Sequence, residues 1–285
     1  MSARLAANRY GKHRVRVSKV RRPRERAAKA ERHEFVELSV DVELYGGCDA
    51  AFTDGDNTPV VATDTCKNTV YVLAKDDPID SAESFAVTVA QHFVDRYDHV
   101  ERCDVRVDER VWSRLNDSSH GFTADGRATP TAAVRLDRGA DPRVTAGVRG
   151  LLIAKTTESG FEDFHRDEFR TLADTDDRIL ATELTASWCY SGEADYPFAR
   201  AAVMDALTGA FLDHYSRSVQ ETLYKMGEAA LAACAAAKRI ELTMPNKHHI
   251  LADLSPFDRP NENEVFVVTD EPFGFITAVV EREEE

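Results

Sequence analysis

Residues 240–256, IELTMPNKHHILADLSP, decide how the chain is read. Two short β-rich runs, 240–243 and 250–254, flank Met244-Pro245-Asn246-Lys247-His248-His249. Proline has no N–H and a fixed φ, so Pro245 is expected to interrupt strand pairing at this corner. On extended backbone Asn246 and His248 share one face, with Lys247 on the other. The plainest reading is a polar bend between two strands, one that presents an amide and an imidazole together.

Outward from this corner, the C-terminal half reads as strands at 240–244, 249–254, 264–269 and 275–280, preceded by two helices, 198–215 and 218–236. Upstream come a strand at 148–155, a loop containing Gly160, and a strand at 179–190. The first half has a similar order. Strands are expected at 14–20 and 36–44, where Val36, Leu38, Val40, Val42 and Leu44 fall on one face. Pro23 and many charges between them suit an exposed hairpin connection over 21–33. Helices follow, one with Thr63 or Asp64 as N-cap and one over 82–97 capped by Ser81, and then strands around Val105–Val107 and 131–136. Strand pairs, two helices and further strands, taken twice, indicate an α+β chain of two tandem modules with antiparallel sheets and paired helices. The expected modules are 1–146 and 147–285. The repetition is one of order, with no residue-level repeat.

Composition narrows the function. A chain of 285 residues accommodates one large domain or two of ordinary size. Its five cysteines are scattered with no Cys-x-x-Cys pair, which argues against a disulfide framework or a zinc knuckle and for a reducing compartment. No apolar run approaches the roughly 20 residues of a membrane helix. The final Glu-Arg-Glu-Glu-Glu is no peroxisomal address, so a soluble cytoplasmic protein is expected. Residues 1–32 hold twelve Lys or Arg against two Glu; with the whole chain at −14, the remaining 253 residues carry −24. Nine lysines stand against 27 arginines. An acidic, lysine-poor surface suits a protein kept soluble in high salt, and a GC-rich genome would produce the same arginine bias.

Four further stretches carry reactive groups. Asn8-Arg9-Tyr10-Gly11-Lys12 places a lysine where a strand enters the sheet. VATDTCKNTVY (61–71) puts a hydroxyl and a carboxylate at a helix N-terminus, where free N–H groups can hold an acceptor. GFEDFHRDEF (160–169) and TDDRIL (175–180) combine aromatics with Arg178, and SRSVQETLYKMGE (216–228) opens a helix with Ser218 and Gln220. Each has a plain structural explanation: a solvated lysine, simple capping, a core phenylalanine, a surface ion pair.

Together with MPNKHH, DLSPF (253–257) and NEVFVVTDEPFG (263–274), these segments, in this order, resemble urate oxidase (uricase) over nearly the whole chain. The resemblance implies a tunnelling fold (T-fold) in which four subunits enclose a tunnel and active sites lie at subunit interfaces. It implies oxidation of urate by molecular oxygen and water to 5-hydroxyisourate and hydrogen peroxide, with no metal and no organic cofactor. By residue, it implies that Arg178 and Gln220 grip urate edge-on, Phe161 stacks on the ring, and Val219 closes the polar edge. Asp64 meets the imidazole side, and Asn246 and Thr63 border the oxygen position. Lys12, Thr63 and His248 form the proton relay. The chain departs from some relatives at Glu162, where they carry an aromatic, and over 116–126, where only His120 remains of a His-rich segment. Two other readings stand beside this one: a metal-dependent pterin or purine enzyme of the same fold using His248 and His249, and a non-catalytic purine-binding scaffold.

Overall fold

Alternating valines build the first hairpin. β1 (Tyr10–Arg21) pairs antiparallel with β2 (Glu34–Gly46), setting Val15 against Val40 and Val17 against Leu38. The computed structural model describes residues 3–22, 32–126 and 128–283, so most of the expected hairpin connection, 23–31, lies outside the described residues. Leu38, Val40, Val42 and Leu44 are buried, as their two-residue period requires, whereas Val36 near the strand start is only half-buried. A short α1 (Asp49–Thr53) precedes two long helices, α2 (Thr63–Asp76) and α3 (Ala82–Arg96). Ser81 caps α3 with the reciprocal Ser81–Ser84 box. Phe85, Val89 and Phe93 of α3 are wholly buried, each contributing about 1.5–3 kcal/mol of apolar burial.

The sheet continues with β3 (Val100–Arg110), which pairs with β2, and β6 (Thr129–Asp137), which pairs with β3, all antiparallel. Between these two strands, β4 (Trp112–Arg114) and β5 (Phe122–Ala124) close a small separate hairpin that alternation did not reveal. Next comes β7 (Arg143–Lys155), then β8 (Leu180–Tyr190), α4 (Tyr196–Leu212) and α5 (Val219–Ala233). The last strands are β9 (Ala237–Thr243), β10 (Asn246–Leu251), β11 (Phe266–Gly274) and β12 (Thr277–Glu281). Both α4 and α5 stop three residues before their expected ends. The expected α+β class with antiparallel strands is the one observed.

The chain divides into two compact units, Met1–Gly147 with Cys189–Pro197, and Val148–Trp188 with Phe198–Glu285. Within the second, β10 lies between β8 and β11, and β9 pairs with β8 and β12. Pro245 separates β9 from β10 as its missing donor demands, and the Met244 N–H instead reaches Ile276 O at 2.8 Å.

One device recurs in each unit. Helix C-termini leave carbonyls unpaired, and the dipole there favours cations. In the first unit Lys19 of β1 donates to Ala74 O, Lys75 O and Asp77 O at the end of α2. Arg138, next after β6, donates to Val94 O, Tyr97 O and Val100 O at the end of α3. In the second unit Lys155, ending β7, donates to His214 O just beyond α4, and Arg282, next after β12, to Leu231 O, Cys234 O and Ala237 O around the end of α5. No repeat of sequence reads through the chain, yet the roles repeat.

Candidate active site

In the second unit a connecting segment draws three ligand-bearing stretches together. Phe161 exchanges both backbone hydrogen bonds with Thr175, at 2.7 and 3.1 Å, and the Arg178 N–H donates to Ser159 O at 2.8 Å. On the other side Gly160 N–H donates to Ser216 O, and Ser216 N–H to Glu158 O. Gly160 is required by this crowding, because a Cβ there would come within 2.1 Å of the Tyr215 hydroxyl oxygen and 2.9 Å of Thr175 O. That hydroxyl in turn donates to Asp176 O.

These bonds, with the corner before β10, enclose a cavity of about 490 Å³, within the range of roughly 300–1,000 Å³ usual for ligand sites. Phe161, Arg178, Val219, Gln220, Asn246 and His248 all line it. Burial pushes the Arg178 guanidinium below its ordinary value, and its buried Nε has no hydrogen-bond partner among the described residues. An unpaired buried donor on a cation costs energy unless a ligand meets it. The guanidinium lies 5.3 Å from the centroid of the Phe161 ring.

α5 contributes its N-terminus. Ser218 caps it by accepting from Glu221 N–H, and the first intrahelical bond runs from Thr222 N to Ser218 O. The Val219 and Gln220 N–H groups precede that bond and stay available to an acceptor in the cavity. At the corner, β10 loses register with β11 between Asn246 and His248. Lys247 and His249 line the cavity beside Asn246 and His248. Lys247 also pairs with Glu183 and Asp270, and these partners raise its pKa above the ordinary lysine value. Leu172, outside every quoted motif, also lines the cavity, as do Asn263 and Phe266 from the 263–274 segment, which were not singled out as site residues.

Lys12, Thr63 and Asp64 belong to the first unit. Gly11 packs against Val42 O, where a Cβ would come within 1.8 Å, and the register of β1 breaks just after Lys12. Lys12 is half-buried, and its charge favours the ionised forms of Asp64 and Cys66. The N-cap of α2 is neither Thr63 nor Asp64. Ala62 holds that position with ψ of 137° and no side-chain cap, so Thr63 and Asp64 are the first helical residues. Cys66 N closes the first turn on Ala62 O, leaving the earlier N–H groups free at an exposed Thr63 and Asp64. The Asp64 carboxylate is held below the usual range, first by the Lys67 ammonium at 2.5 Å and further by Asn68. That leaves its backbone N–H, more than its side chain, for a ligand. Cys66 itself is buried, which lifts its thiol to about 11.

Among the described residues no group of three or more His, Cys, Asp or Glu is placed to hold a metal ion, so His248 and His249 lack a third ligand.

The uricase family model matches residues 8–135 and 144–277, as two successive segments. The chain belongs to the uricase family. It is similar to the uricase of Arthrobacter globiformis, at 40% identity over 98% of this chain and 90% of that one, and to the uricase of Dictyostelium discoideum, at 36% over 98% of each. The crystal structure of the Arthrobacter globiformis uricase superposes with a TM-score of 0.93 and 39% identity, covering 100% of this chain and 97% of that one. Urate oxidase from Bacillus sp. TB-90, at 22% identity and a TM-score of 0.79, shares the fold. The fold is thus that of the uricases, with two tandem α+β modules, and the chain is an oxidoreductase of that family.

Proposed function

We propose that this uricase-family protein is a urate oxidase, converting urate, oxygen and water to 5-hydroxyisourate and hydrogen peroxide in purine degradation. The observation that carries the proposal is the half-buried Arg178 guanidinium with a buried, unpaired Nε, set beside an aromatic ring and an amide in one cavity. A guanidinium offers a fork of donors to an anionic heterocycle, and Gln220 can donate and accept. Phe161 offers the ring a stacking surface. Asn246 and Thr63 border the oxygen position above the plane, and Val219 and Asp64 close the edges through backbone N–H groups.

Ground-state oxygen takes electrons one at a time, so the closed-shell substrate is first made electron-rich by deprotonation. Lys12, Thr63 and His248 form the relay that removes and returns protons: the lysine accepts, the hydroxyl passes onward, the imidazole completes the path. Two electrons leave urate and reduce oxygen to peroxide, while water adds to the oxidised ring. The residues of this chain supply binding and proton transfer, and the chemistry calls on no metal or organic cofactor. Four copies assemble with active sites at the interfaces between them. Exposed Val267, Val268 and Phe275 on and beside β11 support burial against another copy. Five unpaired cysteines support a reducing cytoplasmic location, and among the described residues no helix is long and apolar enough to cross a membrane.

Chelator-treated protein tests the reading. Loss of urate absorbance with equimolar peroxide is expected, at a range of salt concentrations. Absence of turnover at every salt concentration, or turnover that needs a restored metal, contradicts it.

A further inference from the structure

The plane of the Phe161 ring is not fixed by its backbone. Its hydrogen-bonded pair with Thr175 sets the Cα–Cβ direction, but the terminal torsion of a phenylalanine lies in a broad two-fold well. What removes that freedom is a stack behind it. The Phe164 ring lies parallel to Phe161, with centroids 4.6 Å apart and 10° between planes. The Arg170 guanidinium covers Phe164 at 4.4 Å from its centroid. Arg170 is only 19% exposed, and Asp174 holds it through Oδ1 at 2.8 Å while taking Arg166 on Oδ2 at 2.9 Å. Asp174 itself reaches the cavity wall, whereas Phe164 and Arg170 do not.

Arg170 thus covers Phe164, Phe164 stacks on Phe161, and Phe161 lines the cavity together with Arg178, whose guanidinium lies over its ring. A left-handed Asp163, with φ of 56°, turns the chain between the two rings. Aspartate tolerates that conformation better than most residues. Exposed ion pairs contribute little stability, so the Asp174 pairs act here by orienting Arg170.

We propose that Phe164 and Arg170 are positioning residues for substrate: a backing stack that locks the Phe161 ring parallel to a flat heterocyclic anion held by Arg178. This rests on the proposed urate oxidase reading and deepens it.

Steady-state urate kinetics with Phe164→Leu, Phe164→Tyr and Arg170→Ala test it, each beside a thermal unfolding curve. Phe164→Leu is expected to raise KM by about threefold to tenfold, the scale of one aromatic contact, with kcat within about twofold. Phe164→Tyr keeps the stack and is expected to restore the wild-type KM; Arg170→Ala is expected to raise KM by about twofold to threefold. In a Phe161→Leu background the Phe164→Leu penalty is expected to vanish, because Phe164 acts through that ring. A penalty that persists there marks a general structural effect and overturns the proposal, as does an unchanged KM in both Phe164→Leu and Arg170→Ala. Should Phe164→Leu fail to fold, Arg170→Ala decides alone. Wild-type protein without urate turnover would instead remove the underlying reading, and the stack's role with it.

Discussion

A guanidinium whose buried Nε meets no acceptor is the clearest residue-scale sign of a ligand site, and half-buried Arg178 is such a group. Its meaning was hidden in the sequence, because an arginine opening a strand is usually solvated and only tertiary packing tells the cases apart. Ordered motifs, more than any local pattern, singled it out. Lys247 and His249, which period-two reasoning assigns to the far face, line the cavity too, where the pairing of β10 with β11 shifts from Gly274 to Thr269. The start of α2 was read one or two residues late, since it is set by the backbone of Ala62 and not by a capping side chain of Thr63 or Asp64. At this scale the proposed relay assigns the turnover to Lys12. Lys12→Met is expected to lower kcat by about 100-fold to 10,000-fold, the span of general acid–base catalysis, with little change in KM. Stopped-flow or steady-state assays check it, and an unchanged kcat would remove lysine from the relay.

Elements fix where these groups stand, and both α2 and α5 present free first-turn N–H groups. For α5 the first turn is secured by Glu221, whose carboxylate accepts from the Arg217 backbone and guanidinium and pairs with Lys225. The Arg217 hydrogen bond holds its pKa down at about 2, against an ordinary 4.5. A lowered folded pKa means a contribution fully present above the ordinary value and lost as pH falls through about 2. Glu221→Gln is accordingly expected to cost about 1 kcal/mol at pH 7, and the gap to wild type in chemical denaturation should close as pH drops from about 4.5 towards 2. A gap that is independent of pH would contradict the assignment. The C-terminal clamps make a parallel prediction: Arg138→Ala, which removes the bonds to Val94 O, Tyr97 O and Val100 O between α3 and β3, should lose about 2 kcal/mol in denaturation while urate KM stays unchanged. Long strands and helices were legible because alternation and heptad-like spacing announce a buried face. The three-residue strands β4 and β5 and the one-turn α1 were not, being too short for any period to show.

At the scale of the whole molecule the sequence already carried class and family, because several modest motifs in fixed order are jointly specific while composition alone permits many folds. It did not carry which apolar residues stay exposed, since Val268 and Phe275 read like any apolar strand residue until burial is known. The net charge of −14, with nine lysines in 285 residues, leads to an expectation of salt dependence. Dialysis to low ionic strength, where the Debye length grows beyond about 10 Å, should lower activity and shift sedimentation towards smaller species, and molar salt should reverse both. Full activity and unchanged sedimentation without salt would assign the arginine bias to codon usage. The central claim, that the cavity around Arg178 is the urate site, is tested most directly by anaerobic calorimetric titration of urate into wild-type protein and Arg178→Ala. The account predicts saturable binding to wild type and an affinity weakened at least about tenfold in the variant, as loss of a charge-assisted hydrogen bond of roughly 1.5–3 kcal/mol requires; equal affinity in the two proteins would contradict it.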